Sequence, residues 1–320
     1  MYIKQLKIPN NILLAPMSGV TDPPFRSIVK RFNPGLVFSE MIASRALIEY
    51  NVRTLKMTEK KNNGIYAIQI AGCDPNIMSD AAKICEDIGA DIIDINMGCP
   101  VKKVVNGYAG SALMKDESLA IKIMNSVVNS VNVPVTLKMR TGWDDSSRNA
   151  PKLARIAESI GIGMITVHGR TRCQMYRGKS DWKFIKKVKD VVNIPVIGNG
   201  DIENINDVDS ILKLSSVDGL MIGRGVYGKP WIFEEINAYL NKKKFLPPNI
   251  KEINNLVNEH LQLSIEHYGP NIGLKNFRKH LGWYSKSLKN SNTFRHRINQ
   301  SLDLNEIRRL INSFFIEPNF

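Results

Sequence analysis

Short apolar runs rich in β-branched residues recur through the first three quarters of the chain. Several of these runs are apolar on both faces, which is typical of strands buried inside a parallel sheet. The pattern predicts eight strands, in chain order Ile12–Ala15, Leu36–Ser39, Tyr66–Ile70, Ile92–Asn96, Val135–Met139, Met164–His168, Val196–Asn199 and Gly219–Ile222.

Helical patterns fill several of the gaps between these runs, at Ile77–Ile88, Ser118–Val128, Pro151–Ile160 and Asp181–Val191. Repeated strand–helix units imply right-handed crossovers and a parallel sheet. We therefore predict an α/β fold of the (β/α)8 TIM-barrel type, whose usual length is about 250 residues. A doubly wound open sheet is the alternative.

The strand pattern stops after Trp231, and a basic segment broken by Pro247 and Pro248 follows. Beyond that segment the apolar spacing becomes helical again, at Ile253–His267, Lys275–Ser287 and Leu304–Phe315. We expect a barrel domain over residues 1–240 and a small, all-helical domain over residues 241–320.

The charge of the chain is strongly positive and unevenly distributed. Its 44 Lys and Arg exceed its 30 Asp and Glu, which gives a net charge of +14. Residues 241–320 hold 13 basic and 6 acidic side chains, a net +7 and half of the excess. Such a concentration predicts a polyanionic partner. A genome bias toward Lys, Asn and Ile is the alternative explanation.

Several classes of protein are not expected from this composition. A hydrophobic content of 43% is too high for a disordered chain, and the sequence has no apolar run of the length that a membrane span needs. The first residues lack the pattern of a signal peptide. The four cysteines show neither a CxxC motif nor metal-ligand spacing. We expect a cytoplasmic protein with no metal site, and nothing implies an obligate protein partner.

Polar residues stand at or just beyond the ends of the predicted strands. In a parallel barrel these ends converge on one mouth, where barrel enzymes have their active sites. A cluster of amides, cations and a thiol there is difficult to explain by packing alone. The residues are Gln69, Asn96, Cys99, Lys138, Arg140, His168, Arg170, Asn199 and Arg224.

Cys99 lies between Gly98 and Pro100, just past the fourth predicted strand. This turn holds a thiol outside the sheet, where it can serve as a nucleophile or as a proton donor. No paired His/Asp motif is visible, so we favour acid catalysis. An inert, buried cysteine is the alternative.

Glycines close the last two predicted strands, at Gly198–Asp201 and Gly223–Gly225. Small residues let backbone N–H groups approach an anion, and these two loops commonly bind phosphate in barrels. Gly223–Gly228 also fits the G-x-G-x-x-G pattern of dinucleotide-binding folds. Such a fold also requires a second strand that ends in an acidic residue, and no such strand follows here. We therefore reject a dinucleotide-binding fold.

Seven ordered motifs between residues 15 and 233 resemble those of the bacterial tRNA-dihydrouridine synthases. The loop 101–104 and the segment 110–114 are most similar to the B-type branch of that family. The motifs are APMSGVTDPPFR (15–26), INMGCPVKKV (95–104), GSALM (110–114), LKMRTGW (137–143), TVHGRTRCQMYRG (166–178), IPVIGNGDI (194–202) and LMIGRGVYGKPWIF (220–233).

The resemblance implies an oxidoreductase in which an FMN-containing TIM barrel is followed by a basic, tRNA-binding helical domain. NADPH would reduce the FMN, and hydride transfer to C6 of a uridine in tRNA would then reduce its C5–C6 double bond. Cys99 would protonate C5. The FMN would be bound by Pro16, Met17, Ser18, Gln69, Lys138, His168, Asn199, Gly200, Asp201, Gly223 and Arg224.

The substrate residues are carried over with the same resemblance. Asn96 and Arg140 would hold the target uracil, which must leave its stack to reach a barrel mouth. Lys102, Lys103, Arg170 and Arg172 would contact tRNA phosphates. An FMN barrel that reduces a small free pyrimidine is the alternative function, and it leaves the basic C-terminal segment unexplained. A non-catalytic nucleic-acid binder is a third hypothesis.

Overall fold

The computed structural model describes residues 1–60, 64–286 and 288–316. A short antiparallel pair, β1 (Tyr2–Ile3) and β2 (Leu6–Lys7), precedes a closed barrel of eight parallel strands in the order β10-β3-β4-β5-β6-β7-β8-β9. The barrel strands are β3 (Ile12–Leu14), β4 (Leu36–Ala43), β5 (Tyr66–Ala71), β6 (Ile92–Met97), β7 (Val135–Arg140), β8 (Met164–His168), β9 (Val196–Asn199) and β10 (Gly219–Ile222).

Helices connect successive strands, and local sequence signals mark their ends. The side chain of Asp74 caps the helix that begins at Pro75, and the side chain of Asp116 caps the helix that begins at Glu117. The helices are α1 (Pro23–Lys30), α2 (Ser44–Ile48), α3 (Val52–Met57), α4 (Pro75–Asp87), α5 (Lys102–Val105), α6 (Glu117–Val128), α7 (Ala150–Ile160), α8 (Trp182–Lys189) and α9 (Ile205–Ser215), with 3-10 turns at Gly110–Met114 and Arg224–Val226.

The predicted barrel is confirmed, and the open-sheet alternative is wrong because β10 pairs with β3 and closes the sheet. All eight predicted strands form, with ends displaced by at most a few residues. The short strands β1 and β2 and helices α1, α2, α3, α5 and α9 were not predicted. Two-residue strands and helices of four to eight residues show little periodicity, which explains most of these omissions. Helix α9 is longer, and its capping box at Asn204 was a missed signal.

Alternate residues of the barrel strands point inward, and the inner surface has two levels. One level is apolar and continues into Ile3 and Ile8 of the N-terminal segment. The residues closer to the carboxyl ends of the strands are polar and still buried, which is costly unless they are hydrogen-bonded. The apolar level comprises Leu13, Ala15, Leu36, Phe38, Ala67, Ile92, Met164, Ile197 and Met221. The polar level includes Gln69, Asp94, Asn96, Thr136, Thr166 and Asn199.

A second compact unit contains Pro23–Asn33 and the chain from Gly225 onward. The predicted boundary between residues 240 and 241 stays a prediction. This unit has one apolar core, which includes Ile28, Trp231, Phe277 and Phe315. Its helices after residue 230 are α10 (Ile232–Leu240), α11 (Ile250–Tyr268), α12 (Pro270–Tyr284), α13 (Ser291–Gln300) and α14 (Leu304–Ile316).

The three predicted C-terminal helices correspond to α11, α12 and α14, while α10 and α13 were not predicted. The predicted end of the second of them, Ser287, lies outside the described residues. Within the described part of the chain, no helix combines the length and the apolar content needed to cross a lipid bilayer.

Candidate active site

A chain of hydrogen bonds crosses three strands inside the barrel mouth. The buried carboxylate of Asp94 accepts hydrogen bonds from Thr136 Oγ1 (2.6 Å) and from Gln69 Nε2 (2.6 Å). Gln69 Oε1 then accepts from Asn96 Nδ2 at 2.7 Å. Asn96 Oδ1 accepts from the backbone N–H groups of Gly98 (3.1 Å) and Cys99. The interior of the sheet is therefore connected to the backbone of Cys99.

The backbone of Cys99 is held on both sides. Its N–H donates to Asn96 Oδ1 at 3.0 Å, and its carbonyl accepts from Ser111 Oγ (2.8 Å) and from the Ser111 N–H (3.0 Å). Gly110 allows this close approach, because a Cβ at that position would lie 2.8 Å from the Cys99 carbonyl oxygen. The thiol side chain stays partly exposed. These contacts give a turn that is held on both sides and carries a partly exposed cysteine.

Lys138 places an ammonium group at the same mouth. Its Nζ donates to Asn199 Oδ1 at 3.1 Å, and Asn199 Nδ2 donates to the Met221 carbonyl at 2.7 Å. Burial and the positive charge of Arg140 lower the pKa of Lys138 to about 8, against the attraction of Asp94 and Cys99. A cation that is only partly compensated is ready to interact with an anion.

His168 is neutral, with a defined tautomer. Its Nδ1 accepts the backbone N–H of Arg170 at 3.2 Å, so we assign the ring proton to Nε2. Burial lowers the pKa of His168 well below its usual range, and the charges of Arg140, Lys138, Arg170 and Arg224 lower it further. A neutral imidazole therefore lies among cationic side chains at the mouth.

Arg170 and Asp201 form a two-pronged ion pair in which the Arg170 side chain is buried and that of Asp201 is partly exposed. Arg170 Nη1 and Nη2 donate to the two carboxylate oxygens at 2.8 and 2.7 Å, and the remaining bonds of the guanidinium go to the carbonyls of Arg177 and Gly178. Arg224 adds a longer bond of 3.2 Å to the same carboxylate. The charge of Asp201 is thereby compensated from two sides.

This ion pair involves two of the predicted site residues. Arg170 is only 2% exposed and most of its N–H donors bond within the protein, so its predicted contact with tRNA phosphate stays a prediction that this geometry does not favour. The carboxylate of Asp201 is engaged by Arg170 and Arg224, so its predicted contribution to phosphate binding would come from its backbone. The two side chains connect the loop that follows β8 to the loop that follows β9.

Arg140 and Asn96 were predicted to hold a uracil, and the structure shows that they also hold loops. Arg140 donates from Nε to the Gly98 carbonyl (2.9 Å) and from Nη1 to the carbonyls of Thr171 (2.7 Å) and Met175 (2.8 Å). The Asn96 amide bonds to Gln69 and to the Cys99 turn. The predicted contact with uracil stays a prediction for both.

The glycine-rich strand ends adjoin one another. Gly200 has a left-handed φ of +114° and packs against Ser180 and His168. A Cβ on Gly223 would meet only Ala15 Cβ and Met17 Sδ, each 4.0 Å away, so this position opens into free space. Met17 is partly buried like Pro16, whereas Ser18 is exposed. The residues predicted for the cofactor thus lie at neighbouring strand ends.

The remaining predicted cations are located outside this interior. Lys102 and Lys103 are exposed on α5, and Arg172 is partly buried with its guanidinium carbon 4.5 Å from the ring centroid of Trp143. Lys115 also lies over that ring, at 4.0 Å. Sequence reasoning missed Lys115 and Trp143, because their association with Arg172 depends on the fold.

Asp94 was also missed, although a signal was present. It stands two residues before Asn96 on β6, and the period of a strand puts both side chains on the same face. Ser111, which holds the Cys99 carbonyl, gave no such signal because the two residues are 12 positions apart. Among the described residues, no group of His, Cys, Asp or Glu side chains is arranged to hold a metal ion.

A closed parallel barrel with buried amides, carboxylates and cations at the carboxyl ends of its strands defines a (β/α)8-barrel enzyme. Two solved structures share this fold. Histamine dehydrogenase from Rhizobium sp. 4-9 aligns with a TM-score of 0.57 and 12% identity, over 82% of this chain and 50% of that one. An amine oxidase from Pseudomonas geniculata N1 aligns with a TM-score of 0.59 and 13% identity, over 82% and 52%. The chain thus spans about half the length of each.

Sequence comparison identifies the family. The model of the dihydrouridine synthase (Dus) family matches residues 13–316. A probable tRNA-dihydrouridine synthase of Rickettsia bellii is 52% identical over 98% of this chain and 97% of its own length. The tRNA-dihydrouridine synthase B of Pseudomonas putida is 43% identical over 98% and 94%. The chain belongs to the dihydrouridine synthase family, and the predicted resemblance is confirmed.

Proposed function

We propose that this protein reduces the C5–C6 double bond of a uridine in tRNA, with bound FMN, with NADPH as reductant and with Cys99 as the proton donor. Membership of the dihydrouridine synthase family supports the reaction. The convergence of a held cysteine turn and a cationic barrel mouth supports the residue roles. The single observation that carries the proposal furthest is the Cys99 turn at the barrel mouth, whose backbone is hydrogen-bonded on both sides.

The residues of the mouth fit an anionic, planar cofactor with a phosphate. Lys138 and the Nε2–H of His168 suit the polar edge of a ring that becomes negative on reduction. The open space at Gly223, the left-handed Gly200 and the exposed Arg224 suit the phosphate. Pro16 and Met17 would contact the ring from the end of β3.

When bound, FMN supplies the hydride that C6 of the uracil receives. Cys99 holds its proton on Sγ and donates it to C5, so hydride and proton together saturate the double bond. The hydrogen bonds on both sides of the Cys99 backbone fix the point from which the thiol projects, which would lower the entropic cost of proton transfer. Asn96 and Arg140, which hydrogen-bond to the same turn, would orient the uracil.

The exposed cations of the barrel rim would guide the RNA. Among the predicted phosphate contacts, Lys102 and Lys103 are exposed and Arg172 is partly buried, and Lys115 adds an exposed cation beside Arg172. The target uridine must be extruded from its stack, because the reacting atoms lie inside a barrel mouth. The basic C-terminal unit would bind the rest of the tRNA, and a cytoplasmic location follows from that substrate.

Substitution of Cys99 tests the proposal. We expect Cys99→Ala to reduce dihydrouridine formation by about 10²- to 10⁴-fold, the usual contribution of a general acid, while FMN and tRNA still bind. Cys173→Ala is the matched control, since Cys173 is an exposed thiol outside the clamped turn. Product formation by Cys99→Ala at the control rate would remove Cys99 from the mechanism.

The choice of substrate separates the proposal from its alternative. Wild-type enzyme with FMN and NADPH is offered tRNA, free uridine and free uracil in parallel, and NADPH oxidation is followed. We expect turnover with tRNA only. Turnover of the free pyrimidines without tRNA would support the small-molecule reductase instead, and a folded protein that never takes up FMN would contradict both.

A further inference from the structure

The buried carboxylate of Asp94 has no role in the function proposed above. It lies on β6 and is fully buried inside the barrel. Burial raises the pKa of Asp94 to about 6, although hydrogen bonds from Thr136 and Gln69 and the charge of Lys138 oppose this change. A charged group in such a place is destabilising unless it is well bonded. Its retention in the interior therefore calls for an explanation in terms of what it contacts.

An ionised carboxylate can only accept hydrogen bonds. The carboxylate of Asp94 therefore determines which way the side-chain amides of Gln69 and then Asn96 are turned. Gln69 must turn its Nε2 toward Asp94, which leaves Oε1 facing Asn96. Asn96 must then turn Nδ2 toward Gln69, which leaves Oδ1 for the N–H groups of Gly98 and Cys99. If both amides were reversed, the Asn96 Nδ2 would face two backbone donors.

We propose that Asp94 is a positioning residue that orients the amides of Gln69 and Asn96 and thereby fixes the location of the Cys99 thiol. Its significance for catalysis rests on the proposed function, but its effect on the thiol does not. An amide at position 94 has both a donor and an acceptor, so it permits either orientation of Gln69. The N–H of Cys99 then loses its acceptor in part of the population, and the turn moves.

The direct readout is the rate at which iodoacetamide alkylates Cys99 in FMN-free protein, measured by peptide mass spectrometry. The exposed Cys173 in the same molecule provides the internal reference. We expect Asp94→Asn to change the Cys99/Cys173 rate ratio by about fivefold, the size expected for one lost hydrogen bond. With FMN, NADPH and tRNA, kcat should fall by about 10- to 100-fold while KM for tRNA stays within about twofold.

A double substitution distinguishes orientation from a general structural effect. Glu at position 69 accepts from Asn96 Nδ2 as Gln69 does, and it also accepts from an Asn at position 94. The variant Gln69→Glu/Asp94→Asn thus restores the orientation of Asn96 without the carboxylate at 94. We expect its alkylation ratio to return toward the wild-type value. Failure of this rescue, or an unchanged ratio in Asp94→Asn, would overturn the proposal.

A matched pair of threonines covers the case in which Asp94→Asn does not fold. Thr136 and Thr166 are both fully buried on neighbouring strands, but only Thr136 donates to Asp94, and Thr166 Oγ1 has no hydrogen-bond partner within the described chain. We expect Thr136→Val to shift the alkylation ratio and Thr166→Val to leave it unchanged. Equal ratios would contradict the proposal. Because alkylation needs neither FMN nor tRNA, these results stand even if the enzyme makes no dihydrouridine.

Discussion

The ion pair between Arg170 and Asp201 offers a quantitative test of how the barrel mouth is held together. Replacing Asp201 by Asn removes the charge and keeps the shape. The backbone tolerates the change, because the φ of +56° at this position lies in the left-handed region that Asn also adopts readily. The loss therefore reports on the pair and not on backbone strain.

The expected magnitude follows from burial. The Arg170 side chain is 3% exposed and that of Asp201 25%, so water compensates little of the charge left behind. Removing one partner of a fully buried pair costs about 3–5 kcal/mol, and one remaining Asn oxygen together with the partial exposure reduces this to about 2–3 kcal/mol. Asp190→Asn is the control, since its pair with Lys186 is about half exposed and contributes about 0.5 kcal/mol or less.

Urea unfolding followed by circular dichroism, with flavin-free protein, measures both variants. Asp201→Asn should lower the midpoint of the barrel transition markedly at an unchanged slope, and Asp190→Asn should leave it nearly unchanged. Burial raises the pKa of Asp201, but the bonds from Arg170 and Ser180 lower it on balance. Ionised Asp201 therefore stabilises the fold at pH values above the usual carboxyl pKa. The difference in unfolding free energy between wild type and Asp201→Asn should shrink below about pH 4, where the carboxylate becomes protonated. Equal midpoint shifts in the two variants would refute the reasoning.

Two further outcomes follow from other parts of the molecule. Burial lowers the pKa of His260 to about 3 and that of His280 well below its usual range, so both stay neutral when folded, whereas the unfolded chain binds protons below about pH 6.5. Through His260 alone, the free energy of unfolding of the helical unit should fall by about 2 kcal/mol between pH 8 and pH 5, which is measured as a lower melting temperature. If the stability of a His280→Phe variant depended on pH as steeply as that of the wild type, His280 would not be a buried neutral group. Gly200→Ala would place a Cβ 2.4 Å from Ser180 Oγ, so it should reduce both stability and the affinity for the proposed FMN. Gly89→Ala is the control, because Gly89 also has a positive φ but a Cβ there would meet nothing within 4 Å. Equal stability losses in the two glycine variants would show that the contact with Ser180 has no effect.

The barrel was predictable because its signal is local and repeated. A short apolar run predicts each strand, and parallel pairing then brings the carboxyl ends of the strands together at one mouth. The residues at those ends, from Gln69 to Arg224, could be named for the same reason. Membership of the family was visible in motifs such as INMGCPVKKV, which follow the same order along the chain.

The structure adds most for side chains whose partners are distant in sequence. Arg170 appears in the sequence as one more rim cation, but it is matched by Asp201, 31 residues away. The distinction between a buried, ion-paired guanidinium and an exposed one depends on loop packing. Lys102, by contrast, is exposed.

The sequence alone thus determined the barrel, the location of its mouth and the candidate thiol, because hydrophobic periodicity and strand direction are properties of the chain read in order. The tertiary structure decided which polar atoms are already paired, since partners 25 to 42 residues apart, such as Gln69, Asp94 and Thr136, meet only when neighbouring strands align in register. Hydrogen-bond direction inside a barrel is a property of that register, and it turns Asp94 from an unnoticed strand residue into the one that orients Cys99.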